Sequence, residues 1–196
     1  MGRGKKIIDT SLVVDEAVAL IEECGVGEFS TRRLASRLGI SAMTLYNYYE
    51  NRGAIMKEAL DRSLSLLWAG LPAEVDAWRD KGGSYLGAYR VFADHLLAFA
   101  IARPLLCRFI LTEGAGGDWM AKDGYIEDIF GSKSPGSESR PETMRRDIYL
   151  FELLAFALAL KVIGGGETPE RFGELVGEGY ELLIARHEKP LGQSST

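Results

Sequence analysis

The side chains whose types and spacing could do chemistry lie mostly between Thr31 and Arg52. They are the hydroxyls of Thr31, Ser41, Thr44, Tyr46 and Tyr48, the guanidinium groups of Arg32 and Arg52, and the amide of Asn47. No nucleophile stands beside a base among them. As a set they are donors, acceptors and fixed cations, which suits holding phosphates and reading base edges better than breaking bonds. From Phe29 to Arg52 the basic residues are Arg32, Arg33, Arg37 and Arg52, and the only acid is Glu50. Arg3, Lys5 and Lys6 add a basic arm ahead of them. The whole chain has the opposite sign, with 23 basic against 28 acidic residues and a formal charge of −5. Residues 1–62 carry nine of each sign and residues 63–196 carry 14 basic and 19 acidic, so the excess belongs to the second part.

Enzymatic chemistry finds little support. There is no G-x-S-x-G motif and no Walker loop, and the only histidines are His95 and His187. Asp94 and His95 are adjacent and point to different sides of a helix, a poor geometry for a proton relay. Gly114-Ala-Gly-Gly lacks the strand that a nucleotide fingerprint requires. Cys24 and Cys107 are far apart in apolar surroundings, with no second Cys or His at ligand spacing, and read as buried thiols of a reducing compartment. No metal or cofactor is implied. Met1–Lys6 is basic, but Ile7 and Ile8 are followed at once by Asp9, so no secretory apolar region develops. The longest apolar stretch, 148–164, is interrupted by Glu152 and Lys161 and falls short of the ~20 residues of a bilayer span. The expectation is a cytoplasmic protein that is not an enzyme and has no membrane partner.

At 196 residues the chain is long enough to bury a sizeable core without staples. Its patterning is helical, without sustained alternation, and the expected class is all-α. Val13, Ala17, Leu20, Ile21 and Cys24 share one helix face, with Asp9 or Ser11 as cap and Gly25 as stop. A short helix follows over 31–38, capped by Ser30 or Thr31 and stopped by Gly39. A third runs from Ser41 to about Tyr49, and a fourth opens at Asn51 and carries Ile55, Met56, Ala59, Leu60, Leu64 and Leu67 towards Gly70 and Pro72. Farther on, Tyr85, Tyr89, Phe92, Leu96 and Phe99 line a helix that Pro104 should end. Residues 114–117 and 131–141 read as loops. Helices near 142–163 and 169–187 follow, the second opened by Thr168 and Pro169, before a frayed tail from Pro190.

The second and third helices have the spacing of a helix-turn-helix. Ala35 is small where the helices must cross, Gly39 suits the tight turn, Leu45 anchors the second helix to the first, and Ser41 caps it. In such a motif the residues from Ser41 onward face base edges in the major groove. The run Phe29-Ser-Thr-Arg-Arg-Leu-Ala-Ser-Arg-Leu-Gly-Ile-Ser-Ala-Met-Thr-Leu-Tyr-Asn-Tyr-Tyr-Glu-Asn-Arg resembles the DNA-binding domain of the tetracycline-repressor (TetR) family of bacterial transcription regulators, and the resemblance covers about residues 9–62. It implies an N-terminal three-helix reading head, residues 1–62, followed by a helical effector-binding and dimerisation domain, residues 63–196. It implies phosphate contacts from Thr31, Arg32, Tyr46, Tyr48 and Arg52, and an exposed recognition face formed by Ser41, Ala42, Met43, Thr44 and Asn47. Tyr49 stands where the family usually has phenylalanine and is expected in the core with its hydroxyl at the edge. Arg52 replaces a common lysine, and Gly53-Ala54 replaces an acidic pair. The face is poor in base-reading donors. Ala42 and Met43 offer only apolar contacts, such as to thymine methyls, while Thr44 and Asn47 can hydrogen-bond, so specificity should lean on few contacts and on DNA shape.

In the second part, Tyr85, Tyr89, Phe92 and Phe99, with Trp68, Phe109, Trp119, Tyr149 and Phe156, can form either core or the walls of a cavity. His95 and Glu152 are candidate polar handles. The expected ligand contacts are Tyr89, Phe92, His95, Phe99, Phe109, Tyr149 and Glu152, for a largely apolar small-molecule effector. The last two helices suit a homodimer, since Gly173, Gly177 and Gly179 allow close approach beside Leu175, Val176 and Tyr180. The reading is a ligand-responsive transcriptional repressor whose two heads bind a pseudo-palindromic double-stranded operator and are released by the effector. The alternative is a helical ligand-binding or enzymatic module that uses its helix-turn-helix for packing or protein contacts.

Overall fold

The computed structural model describes residues 9–114 and 141–188. Every regular element among them is helical: α1 (Thr10–Cys24), a 3-10 turn (Val26–Glu28), α2 (Thr31–Arg37), α3 (Ala42–Leu45), α4 (Arg52–Trp68), α5 (Leu71–Asp80), α6 (Gly87–Ala102), α7 (Pro104–Glu113), α8 (Glu142–Ile163) and α9 (Pro169–His187). The basic arm at 3–6, the expected loops at 115–117 and 131–140, Trp119 and the tail from Pro190 lie outside the described residues. Two compact units appear. One comprises residues 9–67 and 103–114, and the other residues 68–102 and 141–188.

In the first unit the Asp9 carboxylate caps α1, accepting the Ser11 N–H at 2.9 Å. The expected face, Val13, Ala17, Leu20 and Ile21, is buried. Gly25, at φ +78°, ends the helix with its N–H on the Ile21 carbonyl. Cys24 is half-buried, less than its apolar neighbours suggested, because it sits at the last residue of α1 with its thiol on the Leu20 carbonyl at 3.0 Å. Helix α7 packs against α1. Pro104, expected only as a stop, also occupies the first turn of α7, where a missing N–H costs nothing. Burial pushes the Cys107 thiol on α7 up to about 12, leaving it inert.

In the second unit α5 is an element that periodicity does not announce. Its buried residues are only Leu71 and Val75, too sparse a stripe to stand out. The Trp78 indole closes the α5–α6 turn, its Nε1–H donating to the Ser84 carbonyl at 3.2 Å. It lies so close over the backbone that a Cβ on Gly87 would stand 2.5 Å from the ring. A Gly87→Ala variant should therefore lose roughly 1–3 kcal/mol despite alanine's better helix propensity, read as a lower midpoint in denaturant unfolding. An unchanged or raised midpoint would contradict the close packing.

Helices α8 and α9 occupy the expected ranges and pack on each other and on α6. Thr168 caps α9 by accepting the Arg171 N–H at 3.2 Å, and Pro169 takes the first helical position. The glycines of α9 divide by role. A Cβ on Gly179 would stand 2.8 Å from Leu154 of α8 and one on Gly177 3.2 Å from Arg90 of α6, whereas Gly173 faces open space. The close approach at the first two is thus made inside the protomer. Near the ends of the pair, His187 bonds Asp147 at 2.9 Å beside Arg186. That hydrogen bond, with the charges of Arg186 and Arg146, holds the Asp147 carboxyl below its ordinary range.

Candidate nucleic-acid interface

Two short helices and the turn between them build the candidate surface. Ser30 starts α2 by accepting the Arg33 N–H at 3.2 Å, and Leu34 and Ala35 face inward. At its end the Ile40 N–H reaches back to the Ala35 carbonyl at 3.0 Å and Gly39 takes φ +65°. This left-handed closure turns the chain sharply and suits glycine for want of a Cβ. Ser41 then caps α3, accepting the Thr44 N–H at 3.1 Å, and Leu45 is fully buried beneath. The regular α-helix is shorter than its periodicity suggests. After Leu45 the chain tightens, with Asn47 N–H on the Thr44 carbonyl at 3.3 Å and Tyr48 N–H on the Leu45 carbonyl at 2.9 Å. Tyrosines and asparagine are middling helix formers, and i→i−3 bonds commonly finish a helix in this way.

The turn brings expected partners together across the motif. The Thr31 hydroxyl, at the start of α2, lies 3.2 Å from the Tyr46 hydroxyl just past α3. Arg32 is exposed beside Thr31 and makes no ion pair among the described residues. Arg52, in the first turn of α4, places its guanidinium carbon over the Phe29 ring at 5.4 Å, a cation–π contact at a residue that stays exposed. Asn51 caps α4, accepting the Ala54 N–H at 3.0 Å, so the helix start is held although the family's acidic pair is missing. Met43, Asn47 and Ser41 are exposed, Tyr46 is 44% exposed, and Ala42, Thr44 and Tyr48 are half-buried.

The four arginines of this segment do different jobs. Arg37 is gripped by two carboxylates of α1, Glu16 at 2.8 Å and Glu23, which tie α2 to α1. The Glu23 hydrogen bond foremost raises the Arg37 guanidinium above its ordinary value, and in return Arg37 holds the Glu23 carboxyl below its own. Arg33 bonds the Glu28 carbonyl at 3.0 Å. Sequence alone counts four equivalent cations. Among the described residues the structure leaves Arg32 and Arg52 as those not committed to a carboxylate or carbonyl. It also reveals two roles that composition hides, the Phe29 platform and the Arg37 clamp. Tyr49 is 4% exposed and its hydroxyl lies 3.3 Å from both the Thr10 carbonyl and Glu58, joining the end of the motif to α1 and α4. Burial, with the nearby Glu58 charge, pushes its phenol up to about 12.

Residues 13–59 match the family described as bacterial regulatory proteins, tetR family. The helix-turn-helix head is what matches the TetR family. An HTH-type transcriptional regulator of Saccharopolyspora erythraea is 34% identical over 107 residues, 53% of this chain and 44% of that protein. The tetracycline repressor protein class A from transposon 1721 of Escherichia coli is 30% identical over 93 residues, 47% of this chain and 42% of that protein. The chain thus spans less than half the length of the curated relatives it matches. Among solved structures, a TetR transcriptional regulator from Rhodococcus sp. RHA1 superposes with a TM-score of 0.61 at 13% identity, covering 91% of this chain and 96% of that one. A TetR family regulator from Marinobacter aquaeolei VT8 gives 0.58 at 16% identity, covering 86% and 92%. At those identities the likeness is one of fold, and it extends the TetR architecture beyond the matched head.

The residues expected to contact an effector are distributed unevenly. Phe109 is buried in the first unit, on α7, whereas the other six lie in the second. There Phe92 is fully buried, stacked on Trp68 at 5.6 Å and edge-on to Phe156 at 5.8 Å. The Tyr89 hydroxyl meets that of Tyr85 at 2.8 Å, His95 Nδ1 lies 3.0 Å from Glu74 of α5, Phe99 is half-buried, and Tyr149 is 46% exposed. Glu152 is half-buried on α8 without a hydrogen bond or ion pair among the described residues, and desolvation pushes its carboxyl up to about 8.

That position has a consequence for stability. Between an ordinary carboxyl value near 4.5 and about 8, the unfolded chain has Glu152 ionised while the folded chain keeps it protonated. Folding then takes up a proton, so stability falls as pH rises through this window and levels off above it. A Glu152→Gln variant should match the wild type near pH 4.5 and gain on it steadily towards pH 8 in denaturant midpoints. A constant difference across that range would contradict the assignment. Among the described residues, no helix is long and apolar enough to cross a membrane.

Proposed function

We propose that this chain is a ligand-responsive transcriptional repressor of the cytoplasm that binds double-stranded DNA as a homodimer. The observation that carries the reading is the meeting of Thr31 and Tyr46 across the helix-turn-helix, 3.2 Å apart, on a segment that also exposes Arg32 and Arg52. Hydroxyls and cations at that place fix a phosphate and so set the register with which α3 enters the major groove. The acidic remainder of the chain keeps the second unit off DNA and confines binding to the heads.

Two heads on a two-fold axis read half-sites one helical turn apart, ~34–36 Å, or a multiple of it. The outer surfaces of α8 and α9 supply the partner face. Tyr149, Leu150 and Leu182 are large apolar side chains left exposed there. A mostly apolar effector held among the helices of the second unit, with His95 or Glu152 orienting it, shifts α4 and with it the spacing of the heads. Release requires the effector to bind the free form more tightly than the DNA-bound form.

Footprinting of the full chain on the DNA upstream of its own coding sequence tests the reading. The expected result is two protected half-sites related by approximate two-fold symmetry. Uniform protection or none, from a folded protein, would overturn it.

A further inference from the structure

We propose that Met43 and Asn47 are the side chains that choose the base sequence, and that each half-site is selected for A·T pairs: Met43 by the thymine 5-methyl group and Asn47 by the edge of an adenine. The proposal rests on the DNA-binding reading and goes beyond it to the chemistry of the site. It begins with what the surface lacks. Arginine or lysine on guanine is the commonest specific contact in the major groove, and residues 40–51 contain neither.

The hydroxyls that could substitute are largely committed. Ser41 Oγ accepts the Thr44 N–H at 3.1 Å and stands 2.8 Å from Thr44 Oγ1, so one of the two hydroxyl protons is consumed within the pair. Thr44 is also half-buried, as are Ala42 and Tyr48. The Tyr46 hydroxyl is paired with Thr31 at the start of α2. Two side chains remain with their chemistry facing outward.

Asn47 is exposed with amide oxygen and nitrogen both unbonded among the described residues, the pair of groups that matches adenine N6 and N7. Met43 is 75% exposed, an apolar side chain held in water by a helix whose other large apolar residue, Leu45, is fully buried. That exposure is relieved only against apolar surface, and the apolar group of the major groove is the thymine methyl. Met43 lies within α3 and Asn47 in the tightened turn that follows it, so the two stand at successive points along the segment that follows the Ser41 cap.

The test uses the full chain and a random duplex library selected at fixed salt. Enriched half-sites should hold A·T pairs at their most strongly selected positions. In the enriched duplex the half-site thymines are then replaced by deoxyuridine, which removes the methyl and nothing else. The wild type should lose about fourfold in affinity per methyl, roughly 15-fold for both half-sites. Met43→Ala should bind thymine DNA more weakly and show no further loss on deoxyuridine, Met43→Leu should keep the sensitivity, and Asn47→Ala should stop discriminating at the adenine. Enriched half-sites with G·C at these positions, or a deoxyuridine effect below twofold or equal in Met43→Ala, would overturn this proposal while leaving DNA binding intact. Failure to enrich any sequence would overturn it together with the DNA-binding reading.

Discussion

Replacing Arg32 with alanine will weaken operator binding roughly 10- to 100-fold per head at moderate salt, the range of a charged hydrogen bond worth ~1.5–3 kcal/mol. The reason lies in the contrast between Arg32 and Arg37. Arg32 has no carboxylate partner among the described residues and stands next to Thr31, whose hydroxyl meets Tyr46 at 3.2 Å. A cation in that setting displaces counterions from DNA. Its loss should lower the slope of log affinity against log salt by about 0.9 per phosphate contact, about 2 for a two-headed complex. Arg37 is already neutralised by Glu16 and Glu23 and releases no counterions. An Arg37→Ala variant should keep the wild-type slope while lowering the denaturant midpoint, because it unties α2 from α1. Fluorescence anisotropy on operator DNA at several salt concentrations separates the two. Equal slope changes in both variants would contradict the division of labour.

Replacing Phe92 with alanine will cost roughly 3–5 kcal/mol of stability, a large share of the ~5–15 kcal/mol available to a typical domain. Phe92 is fully buried on α6, and its ring is stacked on Trp68 and edge-on to Phe156. Truncation removes the transfer energy of the ring, leaves a cavity, and breaks both aromatic contacts. The same residue was a candidate wall of an effector cavity, and the two roles differ in cost. A wall that faces an open cavity loses little on truncation, whereas a packed core ring loses the full amount. Tyr149→Ala, at a 46% exposed position, should by contrast stay within ~1 kcal/mol of the wild type. Denaturant unfolding of the two variants decides the matter, and a Phe92→Ala loss below about 1 kcal/mol would place Phe92 at a cavity surface.

The parts of this molecule legible in its sequence are those fixed by local chemistry. Asp9, Ser30, Ser41, Asn51 and Thr168 cap helices as their types require, and Gly39 adopts the left-handed turn that the motif needs. The buried faces of α1 and α4 follow from periodicity, as does the helical class. What stayed hidden depends on contacts between segments distant in sequence. Helix α5 shows too little apolar face to be noticed, and α7 is masked by the proline that also ends α6. No spacing rule says that Arg37 turns to Glu16 and Glu23 rather than outward, or that Phe29 sits beneath Arg52. The glycines of α9 read in the sequence as a close approach between two protomers, and the structure has a close approach within the protomer at Gly177 and Gly179.

The central claim is that this TetR-type head binds DNA through its sequence and not through charge alone. The most direct measurement is the affinity of the full chain for the DNA upstream of its own coding sequence, compared with a shuffled duplex of the same composition at low and moderate salt. The account predicts a preference for the upstream DNA of at least ~10³-fold at moderate salt, with both affinities falling as salt rises. Equal affinity for the two duplexes at every salt concentration would contradict it.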